Sequence, residues 1–145
     1  WPVENVIKLS QYLIENDFFI VFFGATKLEL KMMRKIESLI PSKYFQSLVC
    51  KTRIDQLPFI LKQLNLLITN DTGILHLAIA MRIMSLSLFA PTSNKEFGAY
   101  QDFDNHQSIQ KDGFFVNDKP KKERTQDGMR LITVDEVVSK IKEIV

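Results

Sequence analysis

Apolar runs alternating with segments of helical period constrain this chain more than any other feature. Phe18-Phe19-Ile20-Val21-Phe22-Phe23 is continuous and ends at Gly24, the pattern of a strand covered on both faces. Further strands are expected at Gln46 to Cys50, at Leu66-Leu67-Ile68-Thr69 and at Met84 to Phe89. Helical spacing fills the gaps. After Pro2, Val3, Val6, Ile7, Leu13 and Ile14 share one face, and proline is tolerated at a helix start. Thr26-Lys27-Leu28-Glu29 has the form of a capping box, followed by the face Met32, Met33, Ile36, Leu39 and Ile40. A helix is expected over Leu57 to Leu64, with Pro58 in its first turn, and another over Ile74 to Met81. Buried strands joined by helical crossovers imply an α/β fold: a parallel sheet with helices on both faces.

Past Ala90-Pro91-Thr92 the pattern loosens. His106 to Gln110 and Gly113 to Val116 read as short strands, and Asn117 to Arg130 as a polar, charge-rich loop. Thr133-Val134-Asp135-Glu136 is a second capping box, opening a helix with the face Val134, Val137, Val138, Ile141, Ile144 and Val145. At 145 residues the chain has the size of one domain. Nineteen basic against 17 acidic residues leave a net charge of +2, which gives no case for nucleic acid. No apolar run reaches the roughly 18 residues of a membrane span, and Trp1-Pro2-Val3-Glu4 is unlike the start of a signal peptide. The single Cys50 cannot form an internal disulfide; it suits a reducing compartment and reads as a small core residue in Ser47-Leu48-Val49-Cys50. The chain has no starting Met and opens on a helix's first turn, so it reads as a fragment.

Chemistry concentrates in Thr69-Asn70-Asp71-Thr72-Gly73-Ile74-Leu75-His76-Leu77-Ala78-Ile79-Ala80. A strand here hands over to a helix, where open α/β sheets bind ligands. Asp71 or Thr72 is expected to cap the helix, and Gly73 to let a ligand approach the backbone. Free amides with the helix dipole behind them attract anions. His76 lies four residues after Thr72, on the same face. Together these groups suit a diphosphate; the plain alternative is a capped strand-to-helix turn with a histidine lodged in the fold. Asp102, Asp104 and His106 resemble a metal or acid/base cluster only superficially, because they fall in a polar loop, and no group with metal-ligand spacing is visible.

Asp-Thr-Gly-x-x-His-x-x-x-Ala, a strand and then aromatic-x-Pro-Thr resembles the ADP-heptose:lipopolysaccharide heptosyltransferases, glycosyltransferase family 9. Trp1-Pro2, Gly24-Ala25-Thr26-Lys27-Leu28-Glu29, Phe97-Gly98-Ala99-Tyr100 and Ile132-Thr133-Val134-Asp135-Glu136-Val137 extend the likeness in order. It covers nearly the whole chain but matches only the second of the two Rossmann-like domains of a GT-B enzyme, the donor-binding one. Many relatives carry Gly before the fourth strand and in the aromatic-Gly-Pro-Thr turn, where this chain has Arg82-Ile83-Met84 and Ala90.

The resemblance implies an inverting transfer of heptose from ADP-heptose to an inner-core lipopolysaccharide acceptor. Asp71, Thr72, Gly73 and His76 would hold the diphosphate and sugar. Glu29 would accept from ribose hydroxyls, although a capping-box glutamate needs no ligand. The Lys51-Thr52-Arg53 loop would touch adenine through Thr52, with an ordinary solvated loop as the alternative, and Thr92 would line the mouth. No cofactor or metal is implied beyond the donor itself. The acceptor-side base and a phosphate-binding lysine would lie upstream of Trp1, so no catalytic residue is expected in this chain, and donor binding without turnover is. A lipid-anchored acceptor implies a cytoplasmic enzyme peripheral to the inner membrane, with Lys119, Lys121, Lys122 and Arg124 near anionic lipid or merely on a surface loop. Competing readings are a GT-B enzyme using another ADP-, GDP- or UDP-sugar, and a non-catalytic sugar- or partner-binding domain. A phosphorylated receiver-like module lacks its acidic pair, since Phe23-Gly24-Ala25 stands there.

Overall fold

The computed structural model describes residues 1–112 and 127–145. They form two compact units, residues 2–57 and residues 58–145 joined by Trp1. In the first, α1 (Val3–Glu15) leads to β1 (Ile20–Phe22), α2 (Lys27–Glu37) and β2 (Phe45–Ser47). β1 and β2 pair in parallel, with Ile20 opposite Phe45 and Phe22 opposite Ser47. Ile7, Met33, Ile36, Ile40, Phe45 and Val49 form the core, with Ile20 and Phe22 packed against it.

The Phe18–Phe23 run, expected to be covered on both faces, is partly buried at every position but Phe19. Ile20 and Phe22, two apart, face the core, and Phe19 is 61% exposed. Cys50 also departs from expectation. β2 stops at Ser47, Val49 takes the buried place, and Cys50 turns outward with φ 56° and an exposed side chain.

The second unit runs α3 (Leu57–Leu61), β3 (Leu67–Asn70), α4 (Gly73–Ala80), β4 (Ser85–Phe89), α5 (Asn94–Phe97), β5 (His106–Gln110), α6 (Asp127–Arg130) and α7 (Val134–Ile144). Its sheet is parallel throughout, in the order β3-β4-β5. Every residue of β4 is buried, as befits the central strand. The four-residue α5 has no strong sequence period, and α6 falls where a loop was expected. The expected strand at Gly113–Val116 and the basic residues Lys119, Lys121, Lys122 and Arg124 lie outside the described residues.

The turn from α4 to β4 explains one departure from the family pattern. Arg82 N–H donates to Ile79 O at 3.1 Å and Ile83 N–H to Ala78 O at 2.9 Å, the paired bonds of a Schellman cap, whose αL position is usually glycine. Arg82 holds that position at φ 56°. Relief of this strain makes Arg82→Gly stabilising by about 1 kcal/mol, read as a rise in the urea midpoint; a lower midpoint would contradict the assignment. Ala90 is fully buried and takes no positive φ, so its methyl is tolerated.

Candidate functional site

In the second unit the carboxyl ends of β3 and β4 emerge side by side, because Asn70 is in register with Leu88. The loops that follow therefore meet, although their residues are 21 apart in sequence. Thr92 Oγ1 donates to Asp71 Oδ2 at 2.7 Å. Asp71 Oδ1 stands 3.6 Å from His76 Nε2, an ion-pair distance once the imidazole is protonated. Asp71 is partly shielded, at 20% side-chain exposure, whereas His76 is open, at 52%.

The cap differs from expectation. Thr72 is the N-cap residue of α4, in extended conformation, but neither its side chain nor that of Asp71 caps the helix. Thr72 Oγ1 instead lies 3.2 Å from Thr69 Oγ1 and 3.5 Å from Asn70 O. The first backbone bond of the turn comes from Leu75 N–H to Thr72 O. The Gly73 and Ile74 amides are thus left without a side-chain acceptor at the positive end of α4. Thr72 and Gly73 are exposed, and a Cβ built on Gly73 would meet nothing within 4 Å. Open space therefore lies beside Gly73 at the helix start.

Glu29 and Thr52 belong to the other unit. Glu29 closes the capping box of α2: its Oε2 accepts from Ala25 N–H, Thr26 N–H and Thr26 Oγ1 at 2.9, 2.8 and 2.7 Å. All three bonds use the same oxygen. Burial pushes this carboxyl up, but the bonds from Thr26 and Ala25 outweigh that and hold it below the usual carboxylate range. Gly24 makes room for it, since a Cβ there would stand 2.9 Å from Glu29 Cβ. Thr52 Oγ1 donates to Leu48 O at 3.3 Å, closing its own turn. Lys51 Nζ donates to Ser47 O, and Arg53 pairs with Asp55 on the surface.

His106 opens β5 rather than lying in a solvated loop. It is buried, with Nδ1 2.9 Å from Ser85 Oγ across the β4–β5 register and Nε2 without a hydrogen-bond partner. It lines a cleft of about 360 Å³ with Leu75, Ile79, Ser87, Tyr100 and Phe103. Among the described residues no cluster of three His, Cys, Asp or Glu is placed to hold a metal, and no helix is long and apolar enough to cross a membrane.

Two groups of this unit couple stability to acid. Burial holds the His106 imidazole below its usual range, with Asp102 opposing. The Glu136 carboxyl is held low by the Lys111 side chain first and by Thr133 second. Below pH 6.5 the unfolded histidine binds a proton that the folded one resists, and below pH 4.5 the same holds for the glutamate. Both contributions are therefore complete at neutral pH and are lost as pH falls through those two windows. The thermal midpoint should decline from about pH 6.5 and more steeply below about pH 4.5, and Glu136→Gln should flatten only the lower limb. A Glu136→Gln profile parallel to wild type throughout would refute this.

Residues 1–125 match the model of glycosyltransferase family 9 (heptosyltransferase). The chain belongs to this family. It is 27% identical over 96 residues to lipooligosaccharide heptosyltransferase 2 of Haemophilus influenzae, covering 64% of this chain and 28% of that protein. To lipopolysaccharide heptosyltransferase 2 of Escherichia coli it is 25% identical, over 64% of this chain and 27% of the relative. The chain thus spans little more than a quarter of the curated relatives it matches.

Its fold is shared with the glycosyl transferase family 9 protein of Veillonella parvula, with a TM-score of 0.78 at 22% identity over 99% of this chain and 41% of that one. The E. coli heptosyltransferase WaaC with ADP gives a TM-score of 0.76 at 20% identity, over 100% and 40%. The α/β fold read from the sequence is that of the heptosyltransferases.

Proposed function

We propose that this family 9 chain is the donor-binding domain of an inverting transferase that moves heptose from ADP-heptose to a lipopolysaccharide inner-core acceptor, and that the start of α4 receives the donor's diphosphate. The observation carrying this reading is the pair of amides at Gly73 and Ile74 that no side chain caps, beside an exposed Gly73 whose missing side chain leaves open space. A leaving diphosphate gains negative charge as the glycosidic bond breaks. Preorganised N–H groups at a helix N-terminus stabilise such charge without reorganising at that moment. His76 adds an imidazole N–H donor on the same helix, and Asp71, beside it, is assigned to the sugar. The E. coli WaaC structure with ADP supports a nucleoside diphosphate as the ligand class.

Within residues 2–57, Glu29 keeps Oε1 for a ribose diol while Oε2 holds the capping box, and Thr52 marks the loop assigned to the base. The acceptor's general base is assigned outside these residues, so the chain alone is expected to bind donor and transfer no heptose.

Amide spectra recorded during titration with ADP, GDP and UDP test the reading. Saturable movement of the Gly73 and Ile74 signals, strongest with ADP, is the expected result. Unmoved signals at both residues with all three nucleotides would end it, and a preference for GDP or UDP would replace the donor.

A further inference from the structure

An aspartate just before a helix start is normally a competitor for the helix's own amides. Its carboxylate accepts from the N–H two residues on, forming an Asx-turn, and here that N–H is Gly73's. A carboxylate so placed would be a built-in anion on the groups that the proposed function assigns to diphosphate. In this structure Asp71 does not make that turn. Its Oδ2 is held by Thr92 Oγ1 at 2.7 Å, and its Oδ1 faces His76 Nε2 at 3.6 Å. The restraint comes from a different strand's loop, brought alongside by the β3–β4 register. The other residue able to cap, Thr72, is likewise turned away, toward Thr69 and the Asn70 carbonyl.

We infer that Thr92 is a positioning residue: its hydroxyl holds the Asp71 carboxylate off the Gly73 amide and so keeps the start of α4 open for the donor's diphosphate. The inference rests on the proposed function for its purpose, but the restraint itself is measurable without ligand. Removing the hydroxyl frees an anion that is tethered two residues from Gly73 and already partly shielded from water. The freed carboxylate closes the Asx-turn, satisfies the amide and repels the incoming phosphates. Thr92 thereby acts on affinity through Asp71 and needs no contact with the donor.

Four variants decide the matter: Thr92→Val, which keeps the shape and loses the donor; Thr92→Ser, which keeps the hydroxyl; Asp71→Ala; and Asp71→Ala with Thr92→Val. Without ligand, exchange of the Gly73 amide hydrogen should slow in Thr92→Val and stay at the wild-type rate in the other three. With ligand, Thr92→Val should bind ADP about fivefold more weakly and adenosine unchanged, Thr92→Ser should match wild type, and Thr92→Val should add nothing in the Asp71→Ala background.

Unchanged Gly73 exchange in Thr92→Val, or an equal loss of ADP affinity when Asp71 is already alanine, overturns the inference. Faster Gly73 exchange in Asp71→Ala alone also overturns it, because the carboxylate would then be capping in the wild type; this arm does not depend on whether Thr92→Val folds. A wild-type chain whose Gly73 signal ignores ADP defeats the proposed function instead, and the ligand-free exchange rates still decide the role of Thr92.

Discussion

Gly73→Ala should bind ADP at least about tenfold more weakly than wild type while unfolding at a slightly higher temperature. The two halves of this result come from different observations. A methyl at position 73 meets nothing within 4 Å beyond its chain neighbours and its own helix backbone, and the residue needs no left-handed backbone. It is the first residue of α4, and alanine there removes conformational freedom from the unfolded chain, a gain of about 0.5–1 kcal/mol. Nothing in the fold therefore asks for glycine. A diphosphate seated on the Gly73 and Ile74 amides does ask for it, because the methyl enters the space through which phosphate oxygens approach. A tenfold loss corresponds to about 1.4 kcal/mol. Calorimetric titration with ADP alongside a thermal melt separates the effects. Equal affinity with a raised midpoint would leave Gly73 as an accident of sequence and the helix start without a ligand.

Local interactions made most of the fold legible. Both capping boxes, Thr26–Glu29 and Thr133–Glu136, form as the sequence spacing implies, since each rests on bonds spanning three residues. β5 occupies His106–Gln110, the residues read as a strand. What escaped was set by partners distant in sequence or by single backbone angles. Nothing near Cys50 signals that β2 ends at Ser47 and leaves the thiol outside. Periodicity does not show that Arg82 takes a glycine's conformation.

The candidate site divides the same way. The turn that carries Asp71, Thr72, Gly73 and His76 was legible because a strand-to-helix handover is a local pattern. Their hydrogen bonds were not. Local preference favours Asp71 or Thr72 as the cap, and the structure sends both elsewhere, Asp71 to a hydroxyl 21 residues away. Thr92 was placed at the mouth of the site from its position after β4, but its partner depends on the register of β3 against β4. His106 was read both as the first residue of a strand and, with Asp102 and Asp104, as part of a polar loop; its burial follows from Ser85 opposite it on the central strand.

Glycine at position 98 is required for the opposite reason to glycine at 73, and Gly98→Ala should cost the second unit about 3 kcal/mol, the upper end of typical overpacking penalties. Its backbone, at φ −82° and ψ −166°, suits any residue. Space is what is lacking: a Cβ would stand 2.3 Å from Asn94 O and 3.2 Å from Asn94 C. That carbonyl accepts from Gly98 N–H at 2.8 Å to close α5. It cannot move freely, because the same asparagine is tied to β5 through Gln110 Oε1 and Ser108 Oγ, each at 2.8 Å. The methyl must therefore break the α5 turn or pull Asn94 off the strand. Trp1, the chain's sole tryptophan, reports on this unit, since its Nε1 donates to Ile132 O at 2.8 Å. Its fluorescence in urea should show a clearly lower midpoint for Gly98→Ala, with Gly73→Ala unchanged or higher. Coincident midpoints for wild type and Gly98→Ala would mean that the turn yields without cost, and that the Asn94 contacts do not dock the crossover onto β5.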